Sequence, residues 1–528
     1  MKSNNYFIGI DIGTSGTKTA IFDQNGSLIS ESFQESKLYY PEVGAVEQDM
    51  DEIYYSAIDT IKDCILKASN LDSFKSENIS GISIDGQMAG ICAIDDDWQP
   101  IIPYDSWLDT RCSEFISVLN SEKEKIILLS GGPPTFSHGP KMLWWMNKNP
   151  DIFKKISKFI MPSAYVAGKM AGLKAKDAFI DYTYIHFSCF ADILNNKWSE
   201  DLCHEFNLPI EKLPKIIKPW DIIGKVNKET AKLTGLKEGI PIAAGCGDQA
   251  ANILGAAINE SGMIFDVAGT ASVFSICVDK YVPDVKNKTL LTARAVVEDL
   301  WYAIAYINGG GLDLRWFRDE IIKNPDANIN IYKGNEYEIF DNLASKVLPG
   351  SEKLFFIPHF GGRVCPNNAD LKGSWVGLTW RHKKEHLYRS ILEAIAYEYL
   401  IYLKIENSLI PDLKVKEARV IGGGSKSKFW NQLKANVLNL PYVKLKREEF
   451  GVLGSAILAG FATGMFSDLK NTANKFNEIS YTLKPQKEYV NLYKNYSDFY
   501  QELLNDVDLI FKKLNNLSWY ITLFLSIF

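Results

Sequence analysis

The chain has 528 residues, too many for one hydrophobic core, so two or more domains are expected. Its composition, 46% hydrophobic and 23% charged, excludes a disordered or collagen-like chain. A net charge of −6, with lysine and arginine dispersed, argues against a nucleic-acid partner, which would need a basic face.

The first ordered stretch reads "YFIGIDIGTSGTKTAIFDQNG". Residues 6–12, 17–23 and 27–33 predict three successive strands, and Asn25-Gly26 is a hairpin signal between the last two. Asp11 interrupts an apolar run two residues before the turn Gly13-Thr14-Ser15-Gly16. Either the carboxylate caps a turn, or the hairpin binds phosphate and Asp11 stands where a magnesium ion would be. "ENISGISIDGQMAGICAID" predicts a strand ending near Asp85, a loop and a second strand. "KMLWWMNKNPDIFKKISKFIM" predicts a helix that breaks at Pro150; Trp144 and Trp145 are expected to pack there. The aromatic stretch 177–220 is expected to be a lid over the cleft base, outside the core.

"GIPIAAGCGDQAANILGAAI" predicts a strand, a glycine turn and a helix of small residues opened by Asp248. An aspartate there is a good N-cap. The helix dipole is expected to favour its ionised form and depress its basicity, which phosphoryl transfer tolerates because its transition state is loose. "MIFDVAGTASVFSICVD" then repeats the opening: Gly269-Thr270-Ala271 aligns with Gly13-Thr14-Ser15, half a chain later, and Val267 stands in the place of Asp11. Two domains of like topology follow, residues 1–258 and 259–510, with an apolar tail at 511–528. A metal at that strand position is expected in the first half alone.

Further on, Leu387, Ile391 and Ile395 mark one face of a long amphipathic helix. "ARVIGGGSKSKFWNQ" predicts strand, glycine turn and helix, and "FGVLGSAILAGFATGM" is so rich in small residues that another backbone must approach it closely. Three glycine turns, at 13–16, 269–271 and 422–424, each follow a strand. Such turns aim backbone N–H groups at an anion, and Thr14, Ser15, Thr17 and Lys18 add donors. One such turn is ordinary; three, two of them duplicated, favour phosphate. His138, His186 and His359 lack metal-ligand spacing. The eight scattered cysteines form no C-x-x-C pair, which fits a reducing, cytoplasmic setting. No signal peptide is read at the start. The apolar tail is shorter than the ~20 residues that span a bilayer and is expected to pack on the protein surface.

"FIGIDIGTSGTKTAIFD", "GCGDQAANILGA", "DVAGTASV" and "VIGGGSKSKFWNQ" resemble the FGGY carbohydrate kinases, in their xylulokinase-like branch, over residues 6–500. Gly373-Ser-Trp375-Val-Gly377-Leu378, His386-Leu387 and Ser390-Ile391-Leu392-Glu393 fit that family's C-terminal signature; the N-terminal one around Lys141 fits in part, departing at His138 and Trp145. The resemblance implies an α/β chain of two actin-like ATPase (ribonuclease H-like) domains with a central cleft. It implies ATP-dependent phosphorylation of a small sugar, a pentulose such as xylulose, with ATP and Mg2+ and no membrane span, in a protein whose relatives are commonly homodimers. Asp248 matches the catalytic base and Asp11 the carboxylate beside the magnesium. Thr14, Ser15 and Thr270 match phosphate contacts, with Lys18 and Gly269 beside them; Gly311, Arg315, Gly423 and Ser427 match positions around the nucleotide. Gln87 and Met88 in "DGQMAG" and Trp107, Asp109 and Arg111 in "SWLDTR" match the sugar-facing loops. Ala89 replaces the histidine usual in xylulokinases, and Gln249 the asparagine beside the base. Rival expectations are another acceptor (ribulose, gluconate, a polyol or a deoxyketose), an actin-like ATPase switch, and a sugar sensor without catalysis.

Overall fold

The computed structural model describes residues 5–322 and 336–517. In the first half, β1 (Tyr6–Ile12), β2 (Gly16–Asp23) and β3 (Leu28–Glu35) form the expected meander. Helix α1 (Met50–Ala68) lies across β2 and β3. β4 (Ile79–Gly86) runs parallel to β1, in register from Phe7↔Gly81 to Ile12↔Gly86. Helix α2 (His138–Lys148) stops before Pro150, as its sequence requires. β5 (Ile222–Lys225), β6 (Pro241–Ala243) and β7 (Cys246–Gly247) complete a sheet of order β5-β6-β4-β1-β2-β3, with β7 also on β4; α3 (Asp248–Gly255) follows directly. β1 is buried nearly throughout, which explains why its sequence is almost continuously apolar.

The second half repeats the plan with β8 (Met263–Ala268), β9 (Ser272–Val278), β10 (Leu291–Arg294), β11 (Trp301–Ile307), α4 (Gly310–Trp316), α5 (Lys384–Leu409), β12 (Glu417–Ile421), α6 (Lys428–Leu438), β13 (Tyr442–Leu445), α7 (Gly451–Ala462), β14 (Ile479–Leu483) and α8 (Lys487–Asn515). Its sheet order is β10-β11-β9-β8-β12-β13-β14. In each half the leading strand pairs antiparallel with its hairpin partner and parallel with a later strand. Ile391 and Ile395 of α5 are buried and Leu387 half-buried, as their spacing predicts. Of the expected apolar tail at 511–528, residues 511–515 are the end of α8 and Leu517 is exposed, while residues 518–528 lie outside the described residues.

Helix α7 belongs to the second half in sequence, yet packs on β1, β4 and α3 of the first. Its small residues permit backbone contact. A Cβ at Gly9 of β1 would stand 1.9 Å from the carbonyl oxygen of Val452, and one at Gly454 would stand 2.0 Å from that of Ala251. The aromatic stretch departs from expectation: Tyr182, Tyr184, Ile185 and Phe190 are all buried core. They carry enough apolar area to leave water once a neighbouring surface is supplied, and the Tyr184 hydroxyl donates to the carbonyls of Gly86 and Cys246 at 2.9 and 3.1 Å.

Gly9→Ala should therefore destabilise the protein by about 1–3 kcal/mol, because a carbonyl of another element must move. Gly423→Ala, where nothing lies within 4 Å of the added carbon, is the control. Thermal unfolding of both variants checks this; equal midpoints would contradict the contact.

Candidate active site

Three carboxylates from separate elements converge where β1 and β4 end and α3 begins. Asp11 is second to last on β1 and Asp85 second to last on β4, and the two are register partners. Asp248 begins α3, immediately after β7, whose Cys246 pairs with Asp85. Asp85 is fully buried; Asp11 and Asp248 are partly buried. Asp248 Oδ1 accepts from the Gln249 backbone N–H at 2.6 Å, and Asp85 Oδ2 accepts from Ser455 Oγ of α7 at 2.6 Å. Asp11 Oδ1 and Asp85 Oδ1 are buried and, while both carboxyls are ionised, have no hydrogen-bond partner.

Burial lifts the Asp248 carboxyl to about 7; the charge of Asp11 adds to it, and the Gln249 N–H opposes it. This corrects the expectation that the helix dipole would lower its basicity. The dipole's effect is typically below about 1 kcal/mol, and here loss of hydration beside another carboxylate outweighs it. Burial likewise lifts Asp11 to about 6; a hydrogen bond with Asp85 and the Lys18 charge lower it, while Glu449 raises it. Asp85 is held well above the usual carboxylate range by burial first and by Asp11 second. The second half offers a contrast: Asp266 of β8, one residue before Val267, is neutralised by an ion pair with buried Lys434.

Trp107 Nε1 donates to Thr14 Oγ1 at 2.9 Å, and Thr14 Oγ1 donates to Gln87 Oε1 at 3.0 Å. Gln87 Nε2 donates in turn to Gln48 Oε1 at 2.5 Å, and the Gln87 backbone N–H to the Ile12 carbonyl at 2.9 Å. This chain ties the first hairpin turn to the loop after β4 and leaves the Trp107 ring 40% exposed. Met88 packs against Gly247, next to Asp248. Arg111 and Asp109 sit behind this surface. The Arg111 guanidinium contacts Glu47, Asp105 and Asp109 at 2.6, 2.9 and 2.8 Å and stacks on Trp144. Those carboxylates are close enough together to hold a metal, but the guanidinium already neutralises them. Trp145, expected only to pack, also donates to Asp105 Oδ2 at 2.6 Å. Buried Lys141 donates to the carbonyls of Ser106 and Asp109, both at 2.9 Å.

The remaining candidates are divided between the sheets. Lys18 of β2 is paired with Glu31 and Glu449 at 3.0 and 2.8 Å, and Ser15 is exposed at the tip of the first turn. On the second sheet, the Gly311 N–H donates to the Gly269 carbonyl at 3.1 Å and the Leu312 N–H to that of Thr270 at 2.9 Å. A side chain at Gly311 would meet that Gly269 oxygen at 2.1 Å, so the second residue of α4 must be glycine to clamp the turn. Gly423 opens onto free space, and the Ser427 hydroxyl accepts from the Trp430 N–H, capping α6. Arg315 and Thr270 are exposed. The Gly269 and Gly422 turns adjoin at Ala268.

Asp85, Ser455, Gln48 and Tyr184 are site residues that sequence reasoning passed over. For Asp85 a signal existed: it ends its strand before a glycine, much as Asp11 does. Nothing in the local sequence of the other three links them to positions far along the chain.

Residues 6–255 match the FGGY family of carbohydrate kinases, N-terminal domain, and residues 266–463 match the C-terminal domain. A xylulose kinase of Bacillus subtilis is 28% identical over 505 residues, covering 94% of this chain and 96% of its own. A gluconokinase of the same species is 27% identical over 464 residues, covering 87% and 88%. The crystal structure of a ligand-bound xylulose kinase from Lactobacillus acidophilus superposes with a TM-score of 0.86 at 24% identity, covering 97% of this chain and all of that one, a likeness of fold.

A carboxyl raised from 3.8 to about 7 costs the folded state stability as pH climbs through that interval. Asp248→Asn should therefore unfold at a higher temperature than the parent at pH 8 and at nearly the same temperature at pH 4. Differential scanning fluorimetry across that range reads the result; a gap independent of pH would contradict the raised carboxyl.

Proposed function

The chain belongs to the FGGY family of carbohydrate kinases, and on that premise we propose that it phosphorylates a neutral ketose, a pentulose such as xylulose foremost, with Asp248 as general base. Members of this family are enzymes that use ATP as phosphate donor. The observation that carries the acceptor reading is the charge around Asp248. Asp11 adds negative charge beside it, and Arg111 of the Trp107 loop and Lys141 of α2 are occupied by carboxylates and carbonyls. An aldonate would bring a further negative charge into that field without a cation to meet it. A polyhydroxylated neutral acceptor meets polar but uncharged groups: Gln87, the exposed face of Trp107, and Gln249, whose Oε1 is buried without a partner.

In this reading Asp248 accepts the proton of a primary hydroxyl as its oxygen bonds to the γ-phosphorus and the bond to the β-phosphate bridging oxygen breaks. A carboxyl at about 7 is well matched to that task near neutrality. The Trp107–Thr14–Gln87 chain orients the acceptor loop relative to the first turn. The turns at Gly13–Gly16, Gly269–Ala271 and Gly422–Gly424 supply backbone donors to the phosphates, with Thr14, Ser15 and Thr270 beside them and Lys18 contributing charge. Gly311, Arg315, Gly423 and Ser427 border the nucleotide. Asp11, with a buried oxygen lacking any partner, fits a divalent cation. When bound, Mg2+ would neutralise charge on the phosphates. Gln249 and Met88 shape the acceptor side next to the base, and Asp109 and Arg111 hold the Trp107 loop. Closure of the two domains on a central cleft would exclude water, the competing acceptor.

A coupled ADP-release assay over pentuloses, hexuloses, polyols and aldonates tests the acceptor class. Ketoses should turn over with kcat/KM well above that of gluconate; the reverse order would overturn the neutral-acceptor reading. Full-rate ATP hydrolysis without any sugar would favour an ATPase switch instead. Asp248→Asn should lower kcat by about 10²–10⁴ while ATP still binds. In the parent enzyme log(kcat/KM) should rise with pH up to about 7 and then level off. Near-parental turnover in the variant would remove Asp248 from the mechanism.

A further inference from the structure

We propose that Asp85 is a second carboxylate of the divalent-cation site, sharing the ion with Asp11, and that Ser455 of α7 is the positioning residue that aims it. Asp11 and Asp85 are register partners on adjacent parallel strands, so their side chains leave the same face of the sheet. Asp85 is 0% exposed. One of its oxygens is fixed by Ser455 Oγ at 2.6 Å, and the other, Oδ1, is buried with no partner. Asp11 Oδ1 is equally orphaned. Two ionised carboxylate oxygens on neighbouring strands, with no donor facing them, are costly to bury and complementary to a hard, oxygen-seeking cation, which would replace a proton shared between the two carboxyls.

Among the described residues, no cation is one of the groups that act most strongly on Asp85. The groups acting on it are Asp11 from β1, Asp248 from α3 and the Ser455 hydroxyl from α7. Lys18, the register partner of Asp11 on β2, is held by Glu31 and Glu449. The α7 backbone meanwhile closes the site from behind: a Cβ at Gly451 would lie 3.2 Å from Asp11 Oδ2. Ser455 therefore does for Asp85 what an outer-shell hydrogen-bond donor does for a metal ligand, fixing its orientation. It also places one support of the cation site on a helix from the other half of the chain.

The proposal rests on reading Asp11 as a ligand of the cation, and the test separates the two. Mn2+ is titrated into the full-length protein without nucleotide or sugar, and free ion is read by electron paramagnetic resonance. Asp85→Asn, which keeps the shape and an acceptor for Ser455, should weaken Mn2+ binding at least about tenfold, and Ser455→Ala by about tenfold. In EDTA, Asp85→Asn should unfold no earlier than the parent, showing that the variant folds, while the rise in unfolding temperature that Mn2+ gives the parent should shrink. Parental Mn2+ affinity in Asp85→Asn, with Asp11→Asn impaired, would overturn the role of Asp85 alone. Parental affinity in both would overturn the cation reading of Asp11 as well.

Discussion

The close approach of helix α7 to the first sheet is the constraint on which the site depends. Two backbones can touch there only because Gly9 and Gly454 carry no side chain. The contact brings Ser455 to Asp85 and closes the space behind Asp11. Without it, the ends of β1 and β4 would face water, and the carboxylates there would be ordinary surface acids. With it, they lose hydration while their charges remain close together, and both consequences raise their affinity for a proton or a cation.

A concentration of buried negative charge is a poor way to stabilise a fold, and the two halves treat it differently. Asp266 in the second sheet is matched to Lys434 and buried with it. Asp11, Asp85 and Asp248 in the first sheet have no such internal partner among the groups that act most strongly on them, save Lys18, which two glutamates already engage. That asymmetry between topologically similar halves separates a structural carboxylate from ones available for chemistry. It also bears on the acceptor. On the proposed reading, the Asp11 charge that adds to burial in raising the Asp248 carboxyl would also disfavour an anionic sugar.

The local signals were legible where the physics is local. The alternation of strands, the Asn25-Gly26 turn, the break at Pro150 and the spacing of Ile391 and Ile395 all reappear in the structure. So does the duplicated hairpin, in which Gly13-Thr14-Ser15 and Gly269-Thr270-Ala271 join equivalent strand pairs. Readings failed where environment outweighs local preference. The position of Asp248 at a helix start argued for a weak base, but burial dominates. The polar, aromatic stretch 177–220 was read as lying over the core, yet it holds some of its most buried tyrosines.

What the sequence determined by itself was the repeat, the glycine turns, the small-residue helix and the candidacy of Asp11 and Asp248, because each is set by residues adjacent in the chain. Which groups meet was decided by tertiary structure alone. Ser455 reaches Asp85 across 370 residues, and Trp107 reaches Thr14 across 93. Arg111, read as a contact for sugar or loop, is gathered into an internal ion cluster. Proton affinity and ion pairing depend on the distance between charges and on the water removed from around them, and both quantities come into existence only when the chain has folded.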